Sequence, residues 1–147
     1  IEYYTRRTSH GSTLSNIVHS AVMARLDRAN SWKMFCRALE SDISDIQHGT
    51  TAEGIHLGAM AGTVDLLQRC YTGLEIREDI LFFDPLLPDD LEGLSFSLRF
   101  RGVWLDVKVT HETLTISARK GGLEMVKVGV RDRVHFLRAG YAREFEI

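Results

Sequence analysis

Residues 8–15, with the sequence TSHGSTLS, carry side chains that could bind an anion. They bring hydroxyl groups, an imidazole and a glycine together directly before a helical pattern. A helix N-terminus has unpaired backbone N–H groups and a partial positive charge, so hydroxyl donors beside it can hold a phosphate. His10 could add a charge-assisted hydrogen bond when it is protonated. The alternative is that Ser12 or Thr13 only caps the helix and that Gly11 forms a turn.

Two further groups of side chains could reach the same anion. Arg6 and Arg7 precede the hydroxyl-rich run, in a segment that is either an extended approach to the anion or a plain surface tail. His56 lies near the start of a later helical pattern, directly after a loop. A histidine in such a place either contacts a ligand or is a core residue whose ring is hydrogen bonded within the protein. The sequence leaves both alternatives open.

Two amphipathic helices are predicted to position the first of these groups. Apolar residues recur at helical spacing over residues 14–26, which indicates a helix with one apolar face. A second pattern covers residues 32–46, behind a cap at Asn30 or Ser31. Because only residues 27–30 separate the two patterns, the helices should pack antiparallel.

A third helix is predicted over residues 53–71. It is apolar on nearly every side, which is typical of a buried helix. Gly54, Gly58 and Gly62 are spaced four apart and would form one ridge without side chains, along which another helix or a ligand could approach closely. Close helix packing explains this ridge best.

The second half of the chain alternates between apolar and polar residues, which is the pattern of half-buried strands. Strands are predicted at residues 80–83, 95–100, 103–109, 113–118, 123–130, 134–137 and 141–147. Both prolines lie in a turn-rich crossing at residues 84–90. The sequence therefore predicts an α+β fold, with a helical segment at residues 1–76 and an antiparallel β-domain at residues 77–147.

Composition limits the class of protein. The net charge of -2 gives no reason to expect nucleic acid or an anionic membrane as a partner, and no apolar run is long enough to span a bilayer. Cys36 and Cys70 fall on apolar faces of predicted helices, so we expect reduced thiols and a reducing, cytoplasmic compartment. Neither a metal site nor a cofactor is predicted. Because the chain starts at Ile1 rather than at methionine, we expect it to be a piece of a longer protein.

The chain resembles the carboxy-terminal part of glycoside hydrolase family 65 in four ordered segments. These are residues 8–15 (TSHGSTLS), 53–62 (EGIHLGAMAG), 81–88 (LFFDPLLP) and 98–102 (LRFRG). The resemblance extends from Tyr3 to about Lys120. That family contains the maltose, trehalose and kojibiose phosphorylases and related trehalose hydrolases.

The resemblance implies an (α/α)6 barrel that helices like these complete, followed by a small antiparallel β-sandwich. It also implies inverting cleavage of an α-linked glucose disaccharide, with inorganic phosphate as co-substrate in the phosphorylases and an activated water in the hydrolases. The general acid of the family is a glutamate earlier in the barrel, outside this chain. Apolar flanks left bare by the absence of the barrel should drive association, so a homo-oligomer is expected.

By position, the resemblance places the phosphate-holding loop of the family on His10, Gly11, Ser12 and Thr13, with His56 beside it. Arg7, Ser9 and Glu53 are possible accessory residues. Glu53 either activates a water or orients His56, or it caps the third helix. Bacterial disaccharide phosphorylases commonly have Asp-Ser-Ser where this chain has Gly11-Ser12-Thr13. The resemblance therefore leaves open whether phosphate or water is the nucleophile.

A second interpretation is that the chain is a non-catalytic carbohydrate-binding or assembly module. Aromatic side chains facing outward on adjacent strands would favour this interpretation, because sugars stack on such rings. Trp104 is the tryptophan of the β-domain, and it is out of register with its apolar neighbours Val103 and Leu105. It is therefore predicted either on the outer face or packed against the helical half.

Overall fold

Helices come first and strands follow in the computed structural model, so the fold class is α+β. The structure describes residues 3, 7–9, 11–45, 49, 52, 54–122 and 124–147. Two compact units divide the chain between Cys70 and Tyr71, before the expected boundary at residue 76. No helix in the described part of the chain is both long and apolar enough to cross a membrane.

The first two helices are α1, Thr13–Met23, and α2, Arg28–Leu39. Asp27 caps α2, because its carboxylate accepts the backbone N–H of Asn30 at 3.1 Å and the side-chain amide of Asn30 at 2.6 Å. The predicted cap at Asn30 or Ser31 was therefore wrong. A short acidic side chain at the connection reaches the free N–H groups first.

Helix α2 also ends earlier than its apolar spacing predicted. It stops at Leu39, and the following residues form turns. The hydroxyl of Ser41 donates to the carbonyl of Ala38 at 2.7 Å, so a side chain satisfies a carbonyl at the end of the helix. Ile43, predicted on the apolar face, is 83% exposed, and Ile46 lies outside the described residues.

The third helix, α3, covers Leu57–Asp65 and continues as a π-helical turn at Leu66–Tyr71. It begins later than predicted because Gly54 has φ +117°, outside the helical region. The prediction of a buried helix was wrong: Leu57 is 75% and Val64 55% exposed. The side chains that α3 buries are small, Ala59 and Thr63.

Small residues allow these helices to approach closely. Ser20 of α1 and Ser31 of α2 exchange hydrogen bonds, since each hydroxyl donates to the other residue's carbonyl at 2.8 Å. Both serines are fully buried. A Cβ atom on Gly58 would lie 2.5 Å from a methyl group of Leu14, and one on Gly62 would lie 2.5 Å from a methyl group of Ile17. Both glycines thus form the predicted bare ridge.

The ridge is shorter than predicted, and α1 buries a different face. A Cβ atom on Gly54 would meet no atom within 4 Å. In α1 the buried residues are mainly polar: Thr13, Asn16, Ser20 and Met23. The apolar stripe formed by Leu14, Val18 and Val22 is about half exposed, at 46%, 53% and 50%. An apolar pattern indicates which face needs a cover, and the described residues cover this face only in part.

Eight strands form two four-stranded sheets in the second unit. They are β1 Glu75–Arg77, β2 Ile80–Phe83, β3 Gly93–Phe100, β4 Val103–Thr110, β5 Thr113–Ala118, β6 Met125–Val130, β7 Arg133–Arg138 and β8 Ala142–Glu146. The strand order is β1-β2-β6-β7 in one sheet and β3-β4-β5-β8 in the other. Strand β1 crosses the predicted boundary, because Glu75 and Ile76 lie in the segment predicted to be helical and Arg77 lies in the predicted β-domain.

Each sheet buries one face. In β4 the buried side chains are Val103, Leu105, Val107 and Val109, as the alternation predicted. The ring of Phe145 in β8 contacts the ring of His135 in β7, so the two sheets meet face to face. Most strand pairs of the predicted antiparallel domain are antiparallel, but β2 pairs with β6 in parallel. The intervening meander β3–β5 provides the long crossover that a parallel pair needs.

Gly129 provides a test of this parallel pair. It lies opposite Phe82 in the register, and a Cβ atom at Gly129 would overlap the Phe82 ring. Gly129→Ala should therefore lower the free energy of unfolding by about 1–3 kcal/mol, although glycine is itself about 0.5–1 kcal/mol less favourable than alanine within a strand. Urea unfolding followed by circular dichroism measures the difference. In a Phe82→Leu background the penalty should shrink, and an equal penalty there would contradict this packing.

Candidate functional site

The N-terminus of α1 has the geometry of a capped helix. Ser12 is extended, at φ -144° and ψ 141°, and its hydroxyl accepts the backbone N–H of Leu14 at 3.3 Å. Gly11 is exposed, and a Cβ atom there would meet nothing within 4 Å. Thr13 is buried within α1, so its side chain belongs to the helix packing. Ser12 and Gly11 are thus the surface-accessible members of this predicted loop.

His56 is the residue just before α3, and it contacts Asp42, which the sequence analysis missed. The backbone N–H of His56 donates to both carboxylate oxygens of Asp42 at 3.1 Å. The ring Nδ1 lies 2.5 Å from Oδ1 of the same carboxylate. Both side chains are largely buried, with 23% of His56 and 16% of Asp42 exposed. One carboxylate therefore fixes both the backbone and the ring of His56.

The proton in this contact belongs to the His56 ring. The hydrogen bond from His56 lowers the pKa of Asp42, so the carboxylate is ionised at neutral pH and can only accept. Nδ1 must then carry the hydrogen, which leaves Nε2 on the opposite side of the ring. Within the described residues, Nε2 has no hydrogen-bond partner. A neutral ring would accept a proton there, and a protonated ring would donate one to an oxyanion.

The packing of α1 against α3 brings the two predicted site segments to one end of the helices. Gly58 contacts Leu14, and Gly62 contacts Ile17 farther along both helices, so α1 and α3 run in the same direction. Ser12 and His56 each come two residues before the Leu14–Gly58 contact. Their helix N-termini therefore lie side by side, and the partial positive charges at the two ends add.

The remaining predicted site residues are more peripheral or lie outside the described residues. Arg7 donates to the carbonyl of Tyr3 at 3.3 Å, and its guanidinium lies 3.9 Å from the centre of the Tyr3 ring. Ser9 is exposed. His10 and Glu53 lie outside the described residues.

Asp42 was missed because its segment was predicted to be helical. In the structure residues 40–43 form turns and Ser44 a bend, and Asp45 also uses its carboxylate locally, accepting the N–H of Gly49 at 2.9 and 3.0 Å. The available signal was the sequence Ser-Asp-Ile-Ser-Asp at residues 41–45. Such short polar side chains favour turns over helix interiors.

Trp104 is on the outer face of β4 and 47% exposed, which agrees with one of the two alternatives that the sequence left open. The residues beside it on the adjacent strands are charged: Arg99 pairs with it, and Arg119 places its guanidinium 5.6 Å from the ring. Asp106 anchors Arg119 through 2.5 and 2.8 Å contacts, and the Arg119 and Ser97 hydrogen bonds lower the pKa of Asp106 to about 2. No aromatic platform extends across these described strands.

Metal-binding and redox residues are not concentrated near either helix end. Within the described residues, no group of three His, Cys, Asp or Glu side chains is arranged to hold a metal ion. Cys36 and Cys70 are both thiols, and burial raises the pKa of Cys70. A raised pKa disfavours the thiolate, so Cys70 is a poor nucleophile.

The sequence matches known proteins in both units. Residues 1–65 match the glycosyl hydrolase family 65 central catalytic domain, and residues 74–137 match the glycosyl hydrolase family 65 C-terminal domain. The chain belongs to glycoside hydrolase family 65. The resemblance seen in the four sequence segments is thereby confirmed.

Relatives of this family 65 chain include disaccharide phosphorylases. An uncharacterized glycosyl hydrolase of Mycobacterium tuberculosis is 46% identical over 98% of this chain and 11% of the relative. The trehalose 6-phosphate phosphorylase of Lactococcus lactis is 35% identical over 99% of this chain and 19% of the relative. A solved structure, assigned as a kojibiose phosphorylase from the human microbiome, has a TM-score of 0.84 at 25% identity over 99% of this chain and 20% of its own. The chain thus spans between a tenth and a fifth of these proteins.

Proposed function

We propose that this chain supplies the phosphate side of the active site of an inverting α-glucosyl disaccharide phosphorylase. Its family includes relatives named as phosphorylases of trehalose 6-phosphate and kojibiose. The single observation that carries the proposal is the Asp42–His56 contact, which occupies Nδ1 and leaves Nε2 without a hydrogen-bond partner among the described residues, at a helix N-terminus. A fixed imidazole beside partial positive charges suits an oxyanion.

In the proposed reaction a phosphate oxygen attacks the anomeric carbon of the α-linked glucose. The bond to the leaving oxygen breaks as the carbon–phosphate oxygen bond forms, and a glutamic acid outside this chain donates a proton to the leaving oxygen. His56 holds the attacking phosphate through Nε2, while Asp42 keeps the ring oriented. The products are a free sugar and a β-linked sugar 1-phosphate.

The hydroxyl-rich loop completes the proposed phosphate site. Ser12 and Gly11 are exposed beside the α1 N-terminus, and we assign His10 and Thr13 to the same loop from the family resemblance. Arg7, Ser9 and Glu53 are assigned as accessory residues on the same ground. Because the α1 and α3 N-termini lie side by side, one phosphate could accept hydrogen bonds from both segments.

The helical unit is proposed to be the last part of an (α/α)6 barrel. Support comes from the exposed apolar stripe Leu14, Val18 and Val22, which needs a cover, and from relatives that are at least five times longer than the region matched here. In a full-length protein the preceding barrel helices would bury this stripe. The glutamic acid of the mechanism is assigned to those helices.

The test is product analysis on the full-length protein. Trehalose, trehalose 6-phosphate, maltose and kojibiose are each incubated with and without inorganic phosphate, and ³¹P and ¹H NMR identify the products. We expect a β-sugar 1-phosphate from one substrate, formed only when phosphate is present. Free β-glucose formed at the same rate without phosphate would instead identify water as the nucleophile and overturn the phosphorylase proposal. Hydrolysis is a specific alternative because this chain has Gly11 at a position where bacterial phosphorylases of this family commonly have Asp.

A further inference from the structure

A cleft opens between the edge strands of the two sheets, far in sequence from the His56 site. Strand β7 ends one sheet and β8 ends the other. The rings of His135 and Phe145 bridge the two strands, with centroids 4.9 Å apart at an angle of 47°. Beside these rings lies a cavity of about 460 Å³, which we call the β7–β8 cleft. Its volume is in the range of small-molecule sites.

Two arginines line this cleft, and a third lies beside one of its aromatic rings. Arg131, in the β6–β7 turn, and Arg133, in β7, line the cavity. Arg143, in β8, lies with its guanidinium 5.2 Å from the centre of the Phe145 ring. Within the described part of the chain, none of these three arginines forms an ion pair with a carboxylate. Their charge is therefore available to a ligand.

The pKa of His135 reflects the charges around the cleft. Burial lowers the pKa of His135, and the positive charges of Arg143 and Arg133 lower it further. Arginines from two different strands thus act on the same ring. The acidic residues at the cleft, Asp132 and Glu146, make no resolved contribution to that shift. Burial of the ring and the two arginine charges thus act on this pKa in the same direction.

Protection of the sheet edge does not account for this arrangement. Edge strands often carry charges that prevent pairing with another chain, and Arg138 of β7 serves such a role equally well. Side chains alternate along a strand, so Arg133 and His135 share the face of the buried Leu137, and Arg143 shares the face of the buried Phe145. The arginines therefore point to the interior side of the edge, where the cavity lies.

We propose that the β7–β8 cleft binds a sugar phosphate. Guanidinium groups bind phosphate oxygens through paired hydrogen bonds, and arginines from two strands can do so from two sides. The rings of His135 and Phe145 line the same cavity and provide apolar surface against which a sugar ring could pack. This site is independent of His56 and of the proposed catalytic role, and it lies wholly within the β unit.

The test is a residue-resolved NMR titration of the full chain with glucose 1-phosphate, glucose and sulfate. Glucose 1-phosphate should shift the signals of residues 131–146 in a saturable way, and glucose at the same concentration should not. Arg133→Gln and Arg143→Gln should each weaken binding about fivefold, which corresponds to ~1 kcal/mol. Arg138→Gln is the matched control, because Arg138 lies on the opposite face of the same strand, and its binding should be unchanged.

Each remaining outcome decides the proposal. Equal affinity of wild type and both cleft variants, with dispersed spectra proving that they fold, would overturn the site. Sulfate binding as tightly as glucose 1-phosphate would overturn the sugar part of the assignment. Shifts confined to the region of His56 would place glucose 1-phosphate only in the proposed catalytic site and would overturn the cleft proposal. The product analysis does not depend on the cleft, so either proposal can be wrong while the other holds.

The pKa of His135 provides a second measurement of ligand binding. It should not change with sulfate if the three arginines have only a structural role. Sulfate stays fully ionised near neutral pH, and its charge should offset those of Arg131, Arg133 and Arg143. We therefore expect sulfate to raise the pKa of His135, measured from the ring proton signals across the pH range. Asp132 and Glu146 line the same cleft and are present in the titrations with and without sulfate. They therefore cannot cause a difference in the pKa of His135 between the two titrations. An unchanged pKa with saturating sulfate would contradict binding in the cleft.

Discussion

His56→Ala in the full-length protein is expected to lower kcat/KM for phosphate by about 10²–10³-fold. The variant removes the ring nitrogen that is proposed to hold the attacking oxyanion. It also leaves the Asp42 carboxylate without its ring partner, in a place where only 16% of that side chain is exposed. Initial rates of sugar 1-phosphate release at varied phosphate concentration measure the effect.

Asp42→Asn tests whether Asp42 contributes to catalysis by orienting the His56 ring. An amide in place of the carboxylate no longer fixes the Nδ1–H form of His56, so we expect a loss of about 10–100-fold and a weaker pH dependence of kcat. The double variant should be no worse than His56→Ala alone, because two residues that act as a unit are not additive. Asp45→Asn is the matched control, since its carboxylate binds the backbone of Gly49. Independent, multiplying effects of the Asp42 and His56 variants would contradict the proposed dyad.

The 147-residue chain by itself is expected to show no turnover of trehalose, maltose or kojibiose. An inverting mechanism without its general acid loses a factor of about 10²–10⁴, before the missing substrate-binding walls are counted. Free glucose and sugar 1-phosphate are measured after long incubation, with the full-length protein as the positive control. Turnover clearly above buffer that His56→Ala abolishes would show that the chain contains a complete active site.

The sequence by itself determined the local elements of the β unit and the family. Alternation of apolar and polar residues located β4 and β5 to within one residue, because side-chain direction in a strand depends only on neighbouring positions. The sequence did not determine which strands pair with each other. Strand β6 pairs in parallel with β2 across the whole meander, and β8 pairs with β5, since pairing between distant segments depends on the shape of the assembled core.

In the helical unit the sequence determined the existence of α1 and a glycine ridge on α3 that another helix could approach closely; the structure identified that helix as α1. The ridge of Gly58 and Gly62 could be predicted because glycine is costly in a helix unless another backbone or side chain needs the space. Which face of α1 is buried could not be predicted from the pattern. The apolar stripe Leu14, Val18 and Val22 stays about half exposed, because the described residues cover it only in part.

The candidate site divides in the same way. Ser12 and His56 could be named from the sequence, because a hydroxyl-rich helix entry and a histidine after a loop are local features. Asp42 could be found only in the tertiary structure. Its carboxylate reaches His56 across a separation of fourteen residues, after α2 ends early and the chain turns back, and no local spacing encodes that contact. The physical reason is that a buried hydrogen-bonded pair is specified by the packing around it, which the order of residues alone does not show.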